Sequence, residues 1–236
     1  MCIALNYYAG GHFTRIAGLC GGVSQSAAWN AIHQVTTKLA DLKEEYIQMP
    51  HYQQCVETAQ RMQNRFHLPG FAWGVDGVII RFDRAPRNIP AVNVQQDFWC
   101  RKMTHGFNCQ VVGNDTGMIL DIIADWAGSV HDARVWNSSE VKEAIEGQNH
   151  FLAAGDSGYP ISVHLMTPYR AAEVAGDCSK RSFNRRLSGL RTVMTENKFS
   201  GVRKHCFPCL RFLKCHFTSV ENSHPAEKDL PSPPLL

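Results

Sequence analysis

Phe71-Ala72-Trp73-Gly74-Val75-Asp76-Gly77-Val78-Ile79-Ile80-Arg81-Phe82 is the stretch on which the fold turns. It is apolar and β-prone, as a strand is, and one carboxylate, Asp76, stands in its middle. Burying that carboxylate is costly unless it is paired or bound to a cation. An aspartate at an edge or strand end, facing solvent, is the ordinary alternative, and Asp76 alone does not separate the two.

Downstream, Phe107–Val112 reads as a second strand and Met118–Ala124 as a third, entered through the turn Asn114-Asp115-Thr116-Gly117. Val130–Glu146 reads as a helix. Phe151–Ala154 is a short buried strand that runs into Gly155-Asp156-Ser157-Gly158-Tyr159-Pro160, and Leu165–Thr167 is one more strand before Pro168. Arg181–Lys204 then reads as a long basic helix with Phe183, Leu187, Leu190, Met194 and Phe199 along one side. Three strands, a helix, two strands and a helix make an α/β fold with a mixed sheet flanked by helices.

Upstream, residues 1–48 read as helical, and Gly22-Val23-Ser24-Gln25-Ser26 reads as a turn leading into an N-capped helix. Two short helices across a glycine turn suit a helix-turn-helix, a pattern that many unrelated helical pairs share. Residues 49–70 are polar, end in Leu68-Pro69-Gly70, and read as a linker. The domains expected are therefore a helical segment 1–48, a linker 49–70, an α/β domain 71–215 and a tail 216–236. Four prolines and no apolar periodicity make the tail a candidate for disorder.

The 236 residues, 44% hydrophobic and 19% charged, are enough for one sizeable core and exclude disorder over the whole length. No run approaches the ~20 apolar residues of a membrane span, and the first residues lack the pattern of a secretory signal. Nine cysteines without regular spacing suit reduced thiols inside the cell. The net charge of +3 is unevenly spread. Lys180, Arg181, Arg185, Arg186, Arg191, Lys198, Arg203, Lys204, Arg211 and Lys214 stand against one acid, Glu196. Such a run suits a polyanion, and it suits a solvated helix face equally well.

Four acids have particular settings. Asp156 directly follows a buried strand, at the carboxyl end of the sheet where ligands of open α/β sheets gather; taken singly it also suits an Asp-capped turn. Asp132 opens a helix, where a carboxylate meets the helix dipole. Glu196 stands alone among bases, as an intrahelical ion pair would require. Together they place a carboxylate on the first strand, one at a later strand end and one on the following helix. Oxygen-rich sets of that kind suit Mg²⁺ or Mn²⁺, and two such ions ~4 Å apart can activate water and stabilise a leaving oxygen at a phosphodiester.

These segments resemble the DDE endonucleases of PIF/Harbinger transposons and their domesticated nuclease relatives. The matching pieces are Gly74-Val75-Asp76-Gly77, Trp126-Ala127-Gly128-Ser129-Val130-His131-Asp132-Ala133-Arg134, Gly155-Asp156-Ser157-Gly158-Tyr159-Pro160 and Thr167-Pro168-Tyr169. Phe183-Asn184-Arg185-Arg186-Leu187 and Glu196-Asn197-Lys198-Phe199 follow in the family's order. The resemblance implies an RNase H-like fold and a metal-dependent endonuclease, with Asp76, Asp156 and Glu196 as catalytic metal ligands and Asp132 as a fourth acid that coordinates or supports metal. It also implies a helix-turn-helix over residues 11–39, DNA as substrate, a Myb-like accessory protein and a nuclear location. Arg185, Arg186, Arg191, Lys198, Arg203 and Lys204 are the candidate nucleic-acid contacts. The chain departs from the pattern at Val78, where the family carries a small or hydroxyl residue, at Thr195 and at Ser200. The family also extends further before the position of Met1. An inactive, domesticated or truncated DNA-binding remnant is the alternative function.

Two further features stand outside this set. His205, Cys206, Cys209, Cys215 and His216 lie close in sequence, but the second well-spaced pair of a structural zinc site is missing, and free thiols are the ordinary outcome. His131 suits the cap of a helix better than a general base. Trp126 and Trp136 are expected in the core.

Overall fold

A computed structural model describes residues 1–10, 13–82, 94–148 and 150–196. The apolar stretch around Asp76 forms a single strand, β1 (Phe71–Phe82). The short β2 (Trp99–Cys100) and the long β3 (Thr104–Gly113) and β4 (Ile119–Ala127) follow, then β5 (Leu152–Ala154) and β6 (Leu165–Met166). β3 runs antiparallel to β1, with Asp76 opposite Val111 and Gly77 opposite Gln110, and β4 runs antiparallel to β3. On the other edge β5 pairs in parallel with β1, Gly74 opposite Ala154, and β6 in parallel with β5. The main order is thus β4-β3-β1-β5-β6, an antiparallel meander joined to two parallel strands, a mixed open sheet flanked by helices. β2 adds to β3 at Thr104 and His105.

Before the sheet lie α1 (Cys2–Gly10), α2 (Thr14–Cys20), α3 (Gln25–Asp41), α4 (Lys43–Tyr46) and α5 (Tyr52–Phe66). α2 and α3 meet across Gly21–Gly22, and Gly22 takes a φ of 67°, where a glycine is not strained. Ser24 caps α3, accepting the Ala27 N–H at 3.2 Å. The first three helices share a small core of Ala4, Tyr7, Tyr8, Ala17 and Ile32.

Residues 49–70 correct the reading of a linker. They form α5, begun by a hydrogen bond from His51 N–H to Gln54 Oε1 (2.9 Å) and closed by His67 in the left-handed region. Cys55, Ala59 and Met62, at helical spacing, are buried while the many polar residues around them face solvent. Cys55 and Ala59 join a core of Trp73, Val75, Val112, Trp136, Ile145 and Tyr159, and Met62 joins one of Phe71, Ala154, Leu187, Leu190 and Met194. α5 is therefore part of the α/β core, and its narrow apolar stripe is what composition hid.

Two other expectations shift. The helix over 130–146 divides into α7 (Asp132–Asn137) and α8 (Glu140–Gly147), because Ser139 turns its hydroxyl back onto the Trp136 carbonyl at 2.7 Å. A short α6 (Val94–Asp97) precedes β2, and α9 (Ala171–Val174) follows β6. The basic helix starts early, as α10 (Cys178–Arg191), because the Asp177 carboxylate accepts from the N–H groups of Ser179 (2.9 Å) and Lys180 (3.0 Å). It then widens into a π-helical turn, Thr192–Glu196. The zinc-like cluster and the tail lie outside the described residues. The six described cysteines are free, and burial lifts the Cys55 thiol to about 11, which keeps it protonated and unreactive. No helix among the described residues is long and apolar enough to cross a membrane.

Candidate functional site

Asp76 and Asp156 belong to neighbouring strand segments, beside one layer of the core. Gly74 on β1 pairs with Ala154 on β5, and Ala154 shares its apolar cluster with Met194 of the π turn. A Cβ built on Gly74 would lie 2.6 Å from Met194 Cβ and 2.8 Å from Thr195 Cγ2, so only glycine lets the turn sit on β1. Asp76, Asp156 and Glu196 each stand two residues beyond a member of this layer. β1 and β5 are neighbouring parallel strands, ~4.8 Å apart, so the chain leaves the carboxyl end of β5 towards Asp156 alongside the middle of β1, where Asp76 stands.

Asp76 is only 6% exposed, between Val78 and Val111 on its side of the sheet. Asp156 is half-buried, and its Oδ1 accepts the Gly158 N–H at 2.8 Å, which folds the chain into a tight turn. The Gly155 N–H still bonds the Met166 carbonyl (3.0 Å), so β6 holds the start of that turn. The π-helical widening that carries Glu196 is a rare form often found at functional positions.

Asp132 arrives from the other direction. It is the first residue of α7 and is buried, and its Oδ1 accepts from Asn108 Nδ2 at 2.7 Å. Asn108 also donates to the Val130 carbonyl (2.9 Å), which fixes its amide. A Cβ on Gly77 would lie 2.6 Å from Asp132 Oδ1. Successive residues of a strand face opposite sides, so Asp132 approaches β1 from the side opposite to Asp76. Its Oδ2 lies against Gly158, where a built Cβ would be 3.0 Å from that oxygen and 3.0 Å from Asp156 Oδ1. The structure thus brings Asp132 and Asp156 together at Gly158, and separates Asp132 from Asp76 by the thickness of β1. Arg101, on an exposed side chain, stands 3.7 Å from Asp132 Oδ2.

The electrostatics agree with that convergence. Tyr159 is buried, and its phenol is pushed well above its ordinary value, first by burial and then by the charges of Asp132, Asp76 and Asp156. All three carboxylates therefore act on one point. The donors are all carboxylate oxygens, which fit a hard divalent cation. Among the described residues no three His, Cys, Asp or Glu side chains are gathered into a ready ligand cluster.

His131 proves to be a cap, its Nδ1 accepting the Ala133 N–H at 3.2 Å. Trp136 is in the core, whereas Trp126 is half-buried. Of the candidate nucleic-acid contacts, Arg185 and Arg186 are exposed on α10 and Arg191 is half-buried near Tyr159. Lys198, Arg203 and Lys204 lie outside the described residues. Sequence reading missed Asn108, Gly74 and the role of Tyr159. An asparagine inside the apolar run 107–112 was the available signal for the first, since a buried amide needs partners.

Residues 75–224 match the family described as DDE superfamily endonuclease. Over 224 residues the chain is 26% identical to the Rattus norvegicus protein named "Putative nuclease HARBI1", covering 93% of this chain and 58% of that protein. It is 24% identical over 208 residues to "Protein ALP1-like" of Arabidopsis thaliana, covering 80% of this chain and 48% of that one. The chain spans about half the length of the curated relatives it matches. A solved structure of a pre-cleavage Mos1 transpososome aligns over 93% of this chain and 75% of its own, at 12% identity and a TM-score of 0.27, a likeness too slight to bear on the site.

Proposed function

The chain belongs to the DDE superfamily endonucleases, and from that premise we propose that it is a divalent-metal-dependent nuclease acting on the phosphodiester bonds of DNA, by hydrolysis or strand transfer. Endonucleases of this superfamily generally use divalent metals. The observation that supports the reading best is the parallel pairing of β1 with β5, which brings the strands carrying Asp76 and leading to Asp156 side by side, with the turn of Met194 and Thr195 lying on Gly74. In this proposal Asp76, Asp156 and Glu196 hold Mg²⁺ or Mn²⁺, and Asp132 supports Asp156 from the Gly77 side.

When bound, the metal supplies an activated water and charge stabilisation for the leaving oxygen. The chain's own part is placement. β1 and β5 aim two carboxylates from a rigid sheet, and the Asp156 Oδ1 bond to Gly158 N–H fixes one of them in a single orientation. Burial of Asp76 raises the cost of leaving its charge without a cation. Arg185 and Arg186, exposed on α10, are proposed to meet the DNA backbone, together with Arg191, Lys198, Arg203 and Lys204. The same reading carries a nuclear location and a Myb-like accessory protein as partner.

Nicking of supercoiled plasmid in Mn²⁺ tests it. The parent is expected to nick, while Asp156→Asn and an EDTA-treated sample stay at background. A folded parent that binds DNA with a steep salt dependence and shows no response to metal would instead be the inactive DNA-binding remnant.

A further inference from the structure

On either side of Gly158 the chain holds a buried hydroxyl, that of Tyr159, and a buried carboxylate oxygen, Asp132 Oδ2. Tyr159 is 5% exposed, and its hydroxyl makes no hydrogen bond among the described residues. Asp132 Oδ1 is taken by Asn108, while Oδ2 has, among the described residues, the exposed Arg101 at 3.7 Å. A carboxylate has about four acceptor positions, so Oδ2 has capacity to spare. Buried polar groups left alone are rare in folded proteins and call for an explanation.

The two groups are held as neighbours. Asp132 Oδ2 lies against Gly158, the residue before Tyr159. The Tyr159 ring stands edge-on to Trp136, with centroids 6.2 Å apart, and a Cβ on Gly155 would lie 3.3 Å from its Cβ and Cδ2. Its own N–H closes the turn onto the Asp156 carbonyl at 3.2 Å. Trp136 and Asp132 are both on α7, so the ring is already docked on the helix that carries the acceptor. Of the carboxylates that act on the phenol, Asp132 acts most strongly, and the combined effect keeps the hydroxyl protonated and able to donate.

We propose that Tyr159 is a positioning residue of this site: in solution its hydroxyl donates to Asp132 Oδ2, and the bond clamps the turn carrying Asp156 onto α7. The turn is then held at both ends, by Asp156 capping Gly158 and by Tyr159 reaching α7. Asp132 links this clamp to the sheet, since Asn108 is on β3 and Gly77 on β1. The inference rests on the nuclease reading for its consequence in catalysis, but the bond itself can be tested without metal.

The test is a double-mutant cycle of Tyr159→Phe and Asp132→Ala, read two ways. Phenylalanine keeps the ring against Trp136, so the variant is expected to fold. In Mn²⁺, each single change is expected to lower kcat for plasmid nicking about 10- to 100-fold, the range for partners that orient metal ligands, with KM for DNA unchanged. The double variant is expected to lose no more than the larger single loss, because both changes break the same bond. Urea midpoints of the metal-free proteins are expected to show the same failure of additivity. Losses that multiply, midpoints that add, or a Tyr159→Phe protein as active as the parent would overturn the proposal. An inert parent sinks the nuclease reading instead, and the metal-free midpoints still decide the bond.

Discussion

The two sides of β1 do different work at residues three apart. On the side of Gly74 and Asp76 the sheet is met by the side chains of Met194 and Thr195, the π turn lying on Gly74 so closely that a methyl group would overlap Met194 Cβ. On the side of Gly77 it is met by a carboxylate, Asp132, ringed by Asn108, Gly158 and an apolar wall of Trp136 and Tyr159. One side carries Asp76 and the turn of Met194, and the other holds Asp132 against the loop that carries Asp156. Both sides need glycine, each for its own approach distance, and a β-strand can serve both only because successive residues face opposite ways. The comparison teaches that Asp76 and Asp132 form two tiers on opposite faces of β1, and that the turn at Gly158 brings Asp156 against the second of them.

Substitution on each side should therefore fail differently. Gly74→Val has the largest expected effect: it pushes Met194 and Thr195 off β1 and carries Glu196 with them. A displacement of ~1 Å at such a site can cost on the order of 10²-fold in rate, so nicking is expected to fall by at least that factor. Overpacking of about 1–3 kcal/mol accompanies it. Metal titration of the folded variant checks the cause, since a weakened divalent-dependent rise in Tm is expected; an unchanged rise would mean that the π turn does not set the site.

Gly77→Ala is the matching change on the other side. Its Cβ would lie 2.6 Å from Asp132 Oδ1, so the carboxylate or β1 must yield. Destabilisation of roughly 1–3 kcal/mol is expected, with a loss of nicking about tenfold, smaller than for Gly74→Val because the displaced group is in the supporting tier. Adding Asp132→Ala should restore the stability lost by removing the clash, though not the activity. If the pair is no more stable than Gly77→Ala alone, the overlap at Asp132 is not what Gly77 relieves.

The strands of the site were legible because apolar β-prone runs stand between clear turns, and Asp76 and Asp156 could be placed on them from sequence alone. α5 was not, because Cys55, Thr58, Ala59 and Met62 alone of its 15 residues are buried, and the polar remainder imitates a linker. The break at Ser138–Ser139 and the π turn at Thr192–Glu196 escaped for a related reason: both keep helical spacing of apolar residues while changing the backbone. The four acids were named from a resemblance, but their two-tier arrangement was not. Tiers depend on which face a residue takes relative to a partner some fifty positions away, and only the register of β1 against β3 and the entry of α7 fix that.

A change distant in sequence from both tiers, with the smallest expected effect, serves as the control. Asp115, in the turn between β3 and β4, accepts Arg61 Nε at 2.5 Å and Nη2 at 3.0 Å, with Thr58 Oγ1 at 3.3 Å, and so ties α5 to that turn. Burial alone would raise the Asp115 carboxyl, but the Arg61 hydrogen bonds and charge, helped by Thr58, hold it below its ordinary value. A carboxyl lowered on folding stabilises the protein fully above its unfolded pKa of about 4 and loses that contribution as pH falls through the lower folded value. Arg61 is about half exposed, with 47% of its side-chain surface accessible, so screening limits the pair to at most about 1 kcal/mol. Asp115→Asn is thus expected to lower stability by up to that amount at pH 7, with the difference from the parent closing at strongly acid pH and nicking unchanged. A fall in nicking comparable to that of Gly77→Ala would show that the site senses the whole sheet, and that the two sides of β1 are not the separate tiers their geometry describes.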